Sequence, residues 1–302
     1  MHRPTTLDRR TLLALAGTGV LSACSGPVDA PDAPDASSGG PDDPTEQTGE
    51  ENGMSTGGDE VTAGMERITY GEEESQWVER RVPTGPSRGT VVVLHGGFWR
   101  AAYGADLGTP LAEDLTAQGW TTLNVEYRRV GDGGGFPQTF DDVHAALELV
   151  DVDGPVVTLG HSAGGQLAAW AAGRLRTGQW SGDVEVTHVV SQAGVLDLGT
   201  AYEERLGGGA VEDFLAATPD DPLYDLVDPI RQVPLDAPLW ALHAPDDGQV
   251  PISQSEAYVT AAREAGAKAE QIEVTGGHFN LIDVGTGAWA EVVRVLDSIS
   301  SR

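Results

Sequence analysis

Two rhythms of hydrophobic and polar residues alternate along the chain after Met65. Strand-like apolar runs recur at 90–95 (TVVVLH, continuous and rich in β-branched residues), 121–126, 156–160, 186–192, 239–244 and 269–274. Such runs suit strands buried on both faces, because neither side of the pleat meets water. Between them, at 105–118, 138–150, 163–176, 252–265 and 286–300, apolar positions return every three to four residues, which predicts helices. Strand then helix, repeated in this way, predicts an α/β fold: a mostly parallel central sheet with helices on both faces. No internal repeat is visible.

Two regions depart from this alternation. Residues 198–237 are acidic and rich in Gly and Pro, and an excursion of that length inside a domain tends to be functional. A small cap or lid over an active site is expected there, with a plain surface excursion as the alternative. Residues 25–64 hold almost no large apolar side chain, so burial cannot offset the entropy of ordering them. They are expected to form a disordered acidic tether, extended by like charges. The folded domain is then 65–302.

Residues 1–24 read as an export signal: Arg9-Arg10, an apolar stretch over 12–23, then Cys24. Leu21-Ser22-Ala23-Cys24 resembles a bacterial lipobox, whose cysteine becomes the lipidated first residue, and the arginine pair resembles a twin-arginine signal. A buried N-terminal helix with an incidental cysteine is the alternative, and it leaves unexplained why the chain's single Cys sits at that point. With Cys24 acylated, no thiol remains for a disulfide or a metal. The expectation is an exported protein, lipid-anchored on the outer side of the cell membrane.

The charge balance narrows the partners. Against 47 acidic residues stand 18 basic ones, for a net charge of −29, and Lys268 is the single lysine. Binding nucleic acid needs clustered Lys and Arg, so that class is excluded. The domain is acidic as well as the tether, and a solvated surface accounts for this more simply than a cation site. No metal-ligand cluster emerges, and neither metal nor cofactor is expected. Hydrophobic residues at 39% suffice for a core. No apolar run approaches the ~18 residues of a membrane-spanning helix.

The clearest chemistry lies in Gly160-His161-Ser162-Ala163-Gly164-Gly165, a G-x-S-x-G between the predicted strand 156–160 and the helix beginning at Ala163. Strand, tight turn and helix are the setting of a nucleophile elbow, with Ser162 as nucleophile. The turn strains the serine backbone and demands small neighbours, which Gly160, Ala163 and Gly164 provide. A serine hydroxyl needs a base within hydrogen-bond reach. His2 leaves with the signal, His161 is turned from its neighbour by the motif, His95 belongs to another loop, His144 lies in a helix and His188 opens a strand. His278, in Gly276-Gly277-His278-Phe279-Asn280, follows the last strand and so reaches the sheet's C-terminal edge, where sites in such sheets sit.

The third member must be a carboxylate that orients the imidazole, placed in chain order between serine and histidine. The turn after the strand 239–244 offers both Asp246 and Asp247. Backbone donors for an oxyanion are expected from the N–H of Ala163 and from the loop His95-Gly96-Gly97-Phe98-Trp99, at Gly97 together with Phe98. His95 is expected to shape that loop rather than to move protons. Trp99 either lines the pocket or packs.

These motifs resemble the α/β hydrolases that carry H-G-G-x-W, among them esterase and lipase relatives of hormone-sensitive lipase, feruloyl-esterase-like enzymes and kynurenine formamidase. The matching residues are HGGFW at 95–99, Glu126-Tyr127-Arg128, Phe136-Pro137 leading to Asp141-Asp142, GHSAGG at 160–165, Gly194-Val195-Leu196-Asp197, and the acid and histidine loops. The resemblance spans about residues 67–300 and implies the α/β-hydrolase fold. In that group the acid stands three residues before the valine of a Val-Pro pair, which here selects Asp247 before Val250-Pro251. Phe98 replaces the third glycine of the hormone-sensitive lipase branch and moves the chain towards the formamidase-like branch, whose members are usually cytosolic.

The expected activity is hydrolysis of a small-molecule carboxylic ester through an acyl-enzyme on Ser162, with small acyl groups favoured over long chains. Amide cleavage by the same residues, of an arylformamidase or peptidase kind, is the second expectation. No propeller-sized segment precedes the domain, which weakens the peptidase form. A catalytically silent surface-binding lipoprotein is the third, against which the complete set of catalytic residue types speaks.

Overall fold

The computed structural model describes residues 64–151 and 153–299; the signal 1–24 with Cys24, and the tether up to residue 63, lie outside the described residues. Six parallel strands appear where apolar runs predict them: β3 (Thr90–Leu94), β4 (Thr121–Glu126), β5 (Val156–His161), β6 (His188–Gln192), β7 (Leu239–His243) and β8 (Ala269–Glu273). Two more precede them, β1 (Met65–Thr69) and β2 (Trp77–Arg81), an antiparallel pair added to β4. Their sequences, MERIT and WVERR, contain no unbroken apolar run, because an antiparallel edge leaves one face in water. Val78 is the exception that anchors them, fully buried opposite Val125.

The strand order is β1-β2-β4-β3-β5-β6-β7-β8. After β3 the chain steps outward to β4 and then crosses back to β5 on the other side of β3. The connections leaving β3 and β5 therefore diverge, the arrangement at whose C-terminal edge sheets of this kind place their sites. The predicted helices are present with trimmed ends: α1 (Thr109–Ala117), α2 (Gln138–Leu147), α3 (Ala163–Gly173), α7 (Ser253–Glu264) and α8 (Gly287–Ser298), with α4–α6 lying in the excursion described below. The expected helix 105–118 begins as a 3-10 turn over Ala105–Leu107, and Pro110 opens α1, where a missing N–H costs nothing.

Side chains alternate across the sheet as the period of two requires. Val92 and Leu94 enter the core shared with α2, α3 and α7, and Val91 and Val93 the core shared with α1 and α8. Each such buried side chain contributes roughly 1.5–3 kcal/mol relative to exposure. The excursion expected as a cap folds into α4 (Leu198–Glu203), α5 (Leu206–Leu215), α6 (Leu223–Val227) and a 3-10 turn over Pro229–Gln232. Asp197 caps α4 by accepting from the Thr200 N–H, and Phe214 carries α5 into the core against Trp99.

Candidate active site

Ser162 stands between β5 and α3 with φ 55° and ψ −118°, a left-handed backbone that a non-glycine residue adopts only under strain. Two glycines make the turn possible. A Cβ on Gly160 would lie 2.0 Å from the Gly164 carbonyl oxygen, and one on Gly164 would lie 2.1 Å from that of Leu94. The start of α3 is thereby pressed onto the end of β3. Serine at a helix N-cap ordinarily bonds its hydroxyl to the helix, yet the Ser162 side chain makes no such capping bond. The hydroxyl is not spent on the fold. Behind it, the first N–H groups of α3, beginning with Ala163, have no intrahelical acceptor.

The loop leaving β3 runs directly over this serine: a Cβ on Gly96 would lie 2.8 Å from the His161 carbonyl oxygen and 3.1 Å from the Ser162 Cβ. Gly97, Phe98 and Trp99 then take positive φ in succession, at 111°, 52° and 54°. The strain is compensated by packing. Trp99 is 1% exposed, stacks on Phe214 with centroids 4.6 Å apart and donates its indole N–H to Gln166 Oε1 at 3.2 Å, so it packs rather than lining a pocket. Phe98 rests on the left-handed Gly207 of α5, where any Cβ would strike its ring at 2.4 Å. His95 holds the base of the loop, stacked at 4.2 Å on Tyr127, whose hydroxyl donates to the His95 carbonyl at 2.7 Å. Its ring nitrogens face the Gly96 carbonyl at 2.8 Å and Glu126 Oε1 at 3.3 Å. Burial pushes the Glu126 carboxyl up, but the contacts with His95, the Ala105 N–H and Arg129 outweigh it and hold the group below the usual carboxylate range.

His278 opens the 3-10 turn over His278–Ile282, and its Nδ1 lies 2.7 Å from Asp247 Oδ2. The Asp247 side chain is fully buried, whereas Asp246 is exposed. Burial alone would raise the Asp247 carboxyl. Hydrogen bonds from His243, His278 and the Val250 and Gln249 N–H groups win instead and hold it well below the usual range. Of the two acids in the turn, Asp247 is the one the fold brings to the histidine.

Three strand-terminal residues hold this base loop and the acid, and the sequence reading assigns none of them a part. His161 Nε2–H donates to the His278 carbonyl at 3.0 Å, and the two rings lie 4.4 Å apart. Burial, reinforced by His278 nearby, lowers the His161 imidazole to about 3, so it is a neutral donor. Gln192, which ends β6, donates to the Leu281 carbonyl at 2.5 Å. His243, which ends β7, lies 3.4 Å from Asp247 Oδ2. The available signal is a histidine or glutamine as the last residue of the strand, at the edge that carries the chemistry. At the rim, Phe279 is 61% exposed with its ring 5.2 Å from that of His278, and Tyr103 is 45% exposed against Gly97. A groove of about 710 Å³ lies at the opposite edge, lined by residues such as Thr187, Pro238 and Lys268, remote from these groups.

A family model described as BD-FAE matches residues 82–261. Two curated relatives come from Mycobacterium tuberculosis (strain ATCC 25618 / H37Rv). Esterase LipC is 27% identical over 261 residues, 76% of this chain and 63% of LipC. Esterase LipQ is 29% identical over 217 residues, 65% of this chain and 51% of LipQ. The chain thus spans between half and two thirds of the length of these relatives. Among solved structures, esterase B from Lactobacillus rhamnosis, in a form inhibited by a tributyrin phosphonate, superposes with a TM-score of 0.66 at 20% identity, covering 79% of this chain and 86% of that one. That likeness establishes the α/β-hydrolase fold. With more than half its length matched by the family model, the chain belongs to the BD-FAE family, an esterase family of α/β hydrolases.

Proposed function

We propose that the protein is a serine hydrolase that cleaves carboxylic esters of small molecules through an acyl-enzyme on Ser162. His278 Nε2 takes the proton of the Ser162 hydroxyl as its oxygen attacks the acyl carbon. The same proton passes to the departing alcohol, and a water activated by His278 then releases the acid. Asp247 fixes the imidazole with its proton on Nδ1 and stabilises the imidazolium. The N–H groups of Ala163, Gly97 and Phe98 receive the oxyanion. What carries this reading is the Asp247–His278 hydrogen bond, tied through the His161 ring to the turn that holds a strained Ser162 whose hydroxyl makes no helix-capping bond. The esterase names of LipC and LipQ support the choice of ester over amide.

The test treats the 302-residue chain with a fluorophosphonate probe and then assays p-nitrophenyl esters of increasing acyl length beside N-formylkynurenine. Labelling at Ser162 and ester rates above the formamide rate are expected. A formamide rate above every ester rate would make the protein an amidase, and no label at Ser162 would leave a binding protein.

We also propose export and a lipid anchor at Cys24, with the acidic stretch to residue 64 as the tether. The support is the lipobox-like Leu21-Ser22-Ala23-Cys24 and the presence of one cysteine in the chain. In Triton X-114 phase separation of expressing bacterial cells, the native protein should enter the detergent phase and a Cys24→Ala variant the aqueous phase. Equal partitioning of the two would refute the anchor.

A further inference from the structure

His243 plays no part in the mechanism above, yet it is fully buried and touches the catalytic acid. Its Nε2 lies 2.9 Å from the Val250 carbonyl oxygen and 3.4 Å from Asp247 Oδ2, and its Nδ1 lies 2.8 Å from Ser255 Oγ in the first turn of α7. A carbonyl oxygen only accepts, so Nε2 carries the hydrogen. In the neutral ring Nδ1 is then a lone pair, and the Ser255 hydroxyl donates to it. The tautomer follows from the partners.

The consequence concerns how the acid is aimed. Asp247 Oδ1 accepts from the N–H groups of Gln249 at 2.8 Å and Val250 at 2.9 Å, and the Asp247 N–H donates to the Ala244 carbonyl at 3.1 Å. These bonds are internal to the loop 244–250. They set its shape but not its placement against the sheet. The His243 ring supplies the missing tie, because it is rooted on β7, braced by α7 through Ser255, and bonds the loop's far end with a nitrogen that also lies 3.4 Å from the carboxylate. Side chains on rigid elements hold reactive groups more accurately than loop residues do.

We propose that His243 is a positioning residue for the triad acid: held by Ser255, its ring aims Asp247 Oδ2 at His278 Nδ1. The proposal rests on the serine-esterase reading. Aim matters because a displacement of about 1 Å in a catalytic group costs up to ~100-fold in rate.

The experiment compares His243→Leu, His243→Gln and Ser255→Ala in the 302-residue chain, with kcat expressed per site titratable by fluorophosphonate, so that unfolded protein is not counted. His243→Leu should lower kcat about 10- to 100-fold with KM within about twofold of native. His243→Gln, whose amide N–H reaches the same two acceptors, should recover most of that loss. Ser255→Ala, a small deletion away from the triad, should lower kcat about threefold or more. On an Asp247→Asn background His243→Leu should cost nothing further, because the group it positions is already disabled.

Native kcat per site in His243→Leu, a Gln variant no better than Leu, or full additivity with Asp247→Asn would each overturn the proposal. Should His243→Leu yield no titratable sites, native kcat in Ser255→Ala overturns it and a loss there sustains it. Failure of the esterase reading shows separately, as native protein without ester turnover or Ser162→Ala with it.

Discussion

Replacing Ser162 with alanine lowers kcat for a p-nitrophenyl ester by about 10⁴-fold or more, and His278→Ala does the same. The two residues act on one proton in one step, so the double variant should be no worse than either single one. Ser162→Ala should leave the thermal midpoint almost unchanged, because the hydroxyl makes no capping bond to α3 and its removal unties nothing. His278→Ala leaves the buried carboxylate with His243 and two backbone N–H groups, so the fold should persist there too. Activity above one hundredth of native in either single variant, on protein with a native circular-dichroism spectrum, would overturn the assignment.

Asp247→Asn should cost about 10⁴-fold in kcat, while Asp246→Asn stays within about twofold of native. The structure dictates why the amide fails. Oδ1 sits where two N–H groups donate, from Gln249 and Val250, so the asparagine must put its carbonyl there. Its NH₂ then occupies the Oδ2 position and faces His278 Nδ1, which must become the acceptor. The imidazole proton moves to Nε2, towards the serine, and the ring can no longer take the hydroxyl's proton. Asp246 is exposed and its replacement removes no buried partner. Comparable losses in the two variants, measured as kcat on folded protein, would refute the assignment of the acid.

Much of the site is legible in the chain because each catalytic residue type stands just after a predicted strand. A parallel sheet built from such strands delivers the loops after β5, β7 and β8 to one edge, so order along the chain becomes proximity. β3, β5 and β7 are readable for the same reason, burial on both faces leaving mostly apolar residues, whereas β8 (AEQIE) lies at the sheet edge and holds three polar residues. β1 and β2 escaped because MERIT and WVERR break their apolar positions with charges, and it is the antiparallel pairing of β1 with β2 and of β2 with β4 that identifies them as sheet. Trp99 was ambiguous because an indole in a glycine loop suits a pocket or a core equally well. Phe214, more than a hundred residues away, supplies the stacking partner that puts it in the core.

The chain's own pattern thus settles the parallel strands and the helices between them, that they alternate, and which residue types meet at the C-terminal edge. Those properties depend on local periodicity and on small residues around a strained turn. The resemblance already selects Asp247 by its spacing to Val250-Pro251, but the physical difference from Asp246 comes from tertiary structure, since adjacent carboxylates are chemically alike until one is turned inward. It also gives His161, Gln192 and His243 their partners, because a hydrogen bond between residues as far apart as 161 and 278 has no signature in either neighbourhood. Whether a polar side chain at a strand's end meets water or a catalytic loop is decided by what the rest of the chain folds over it.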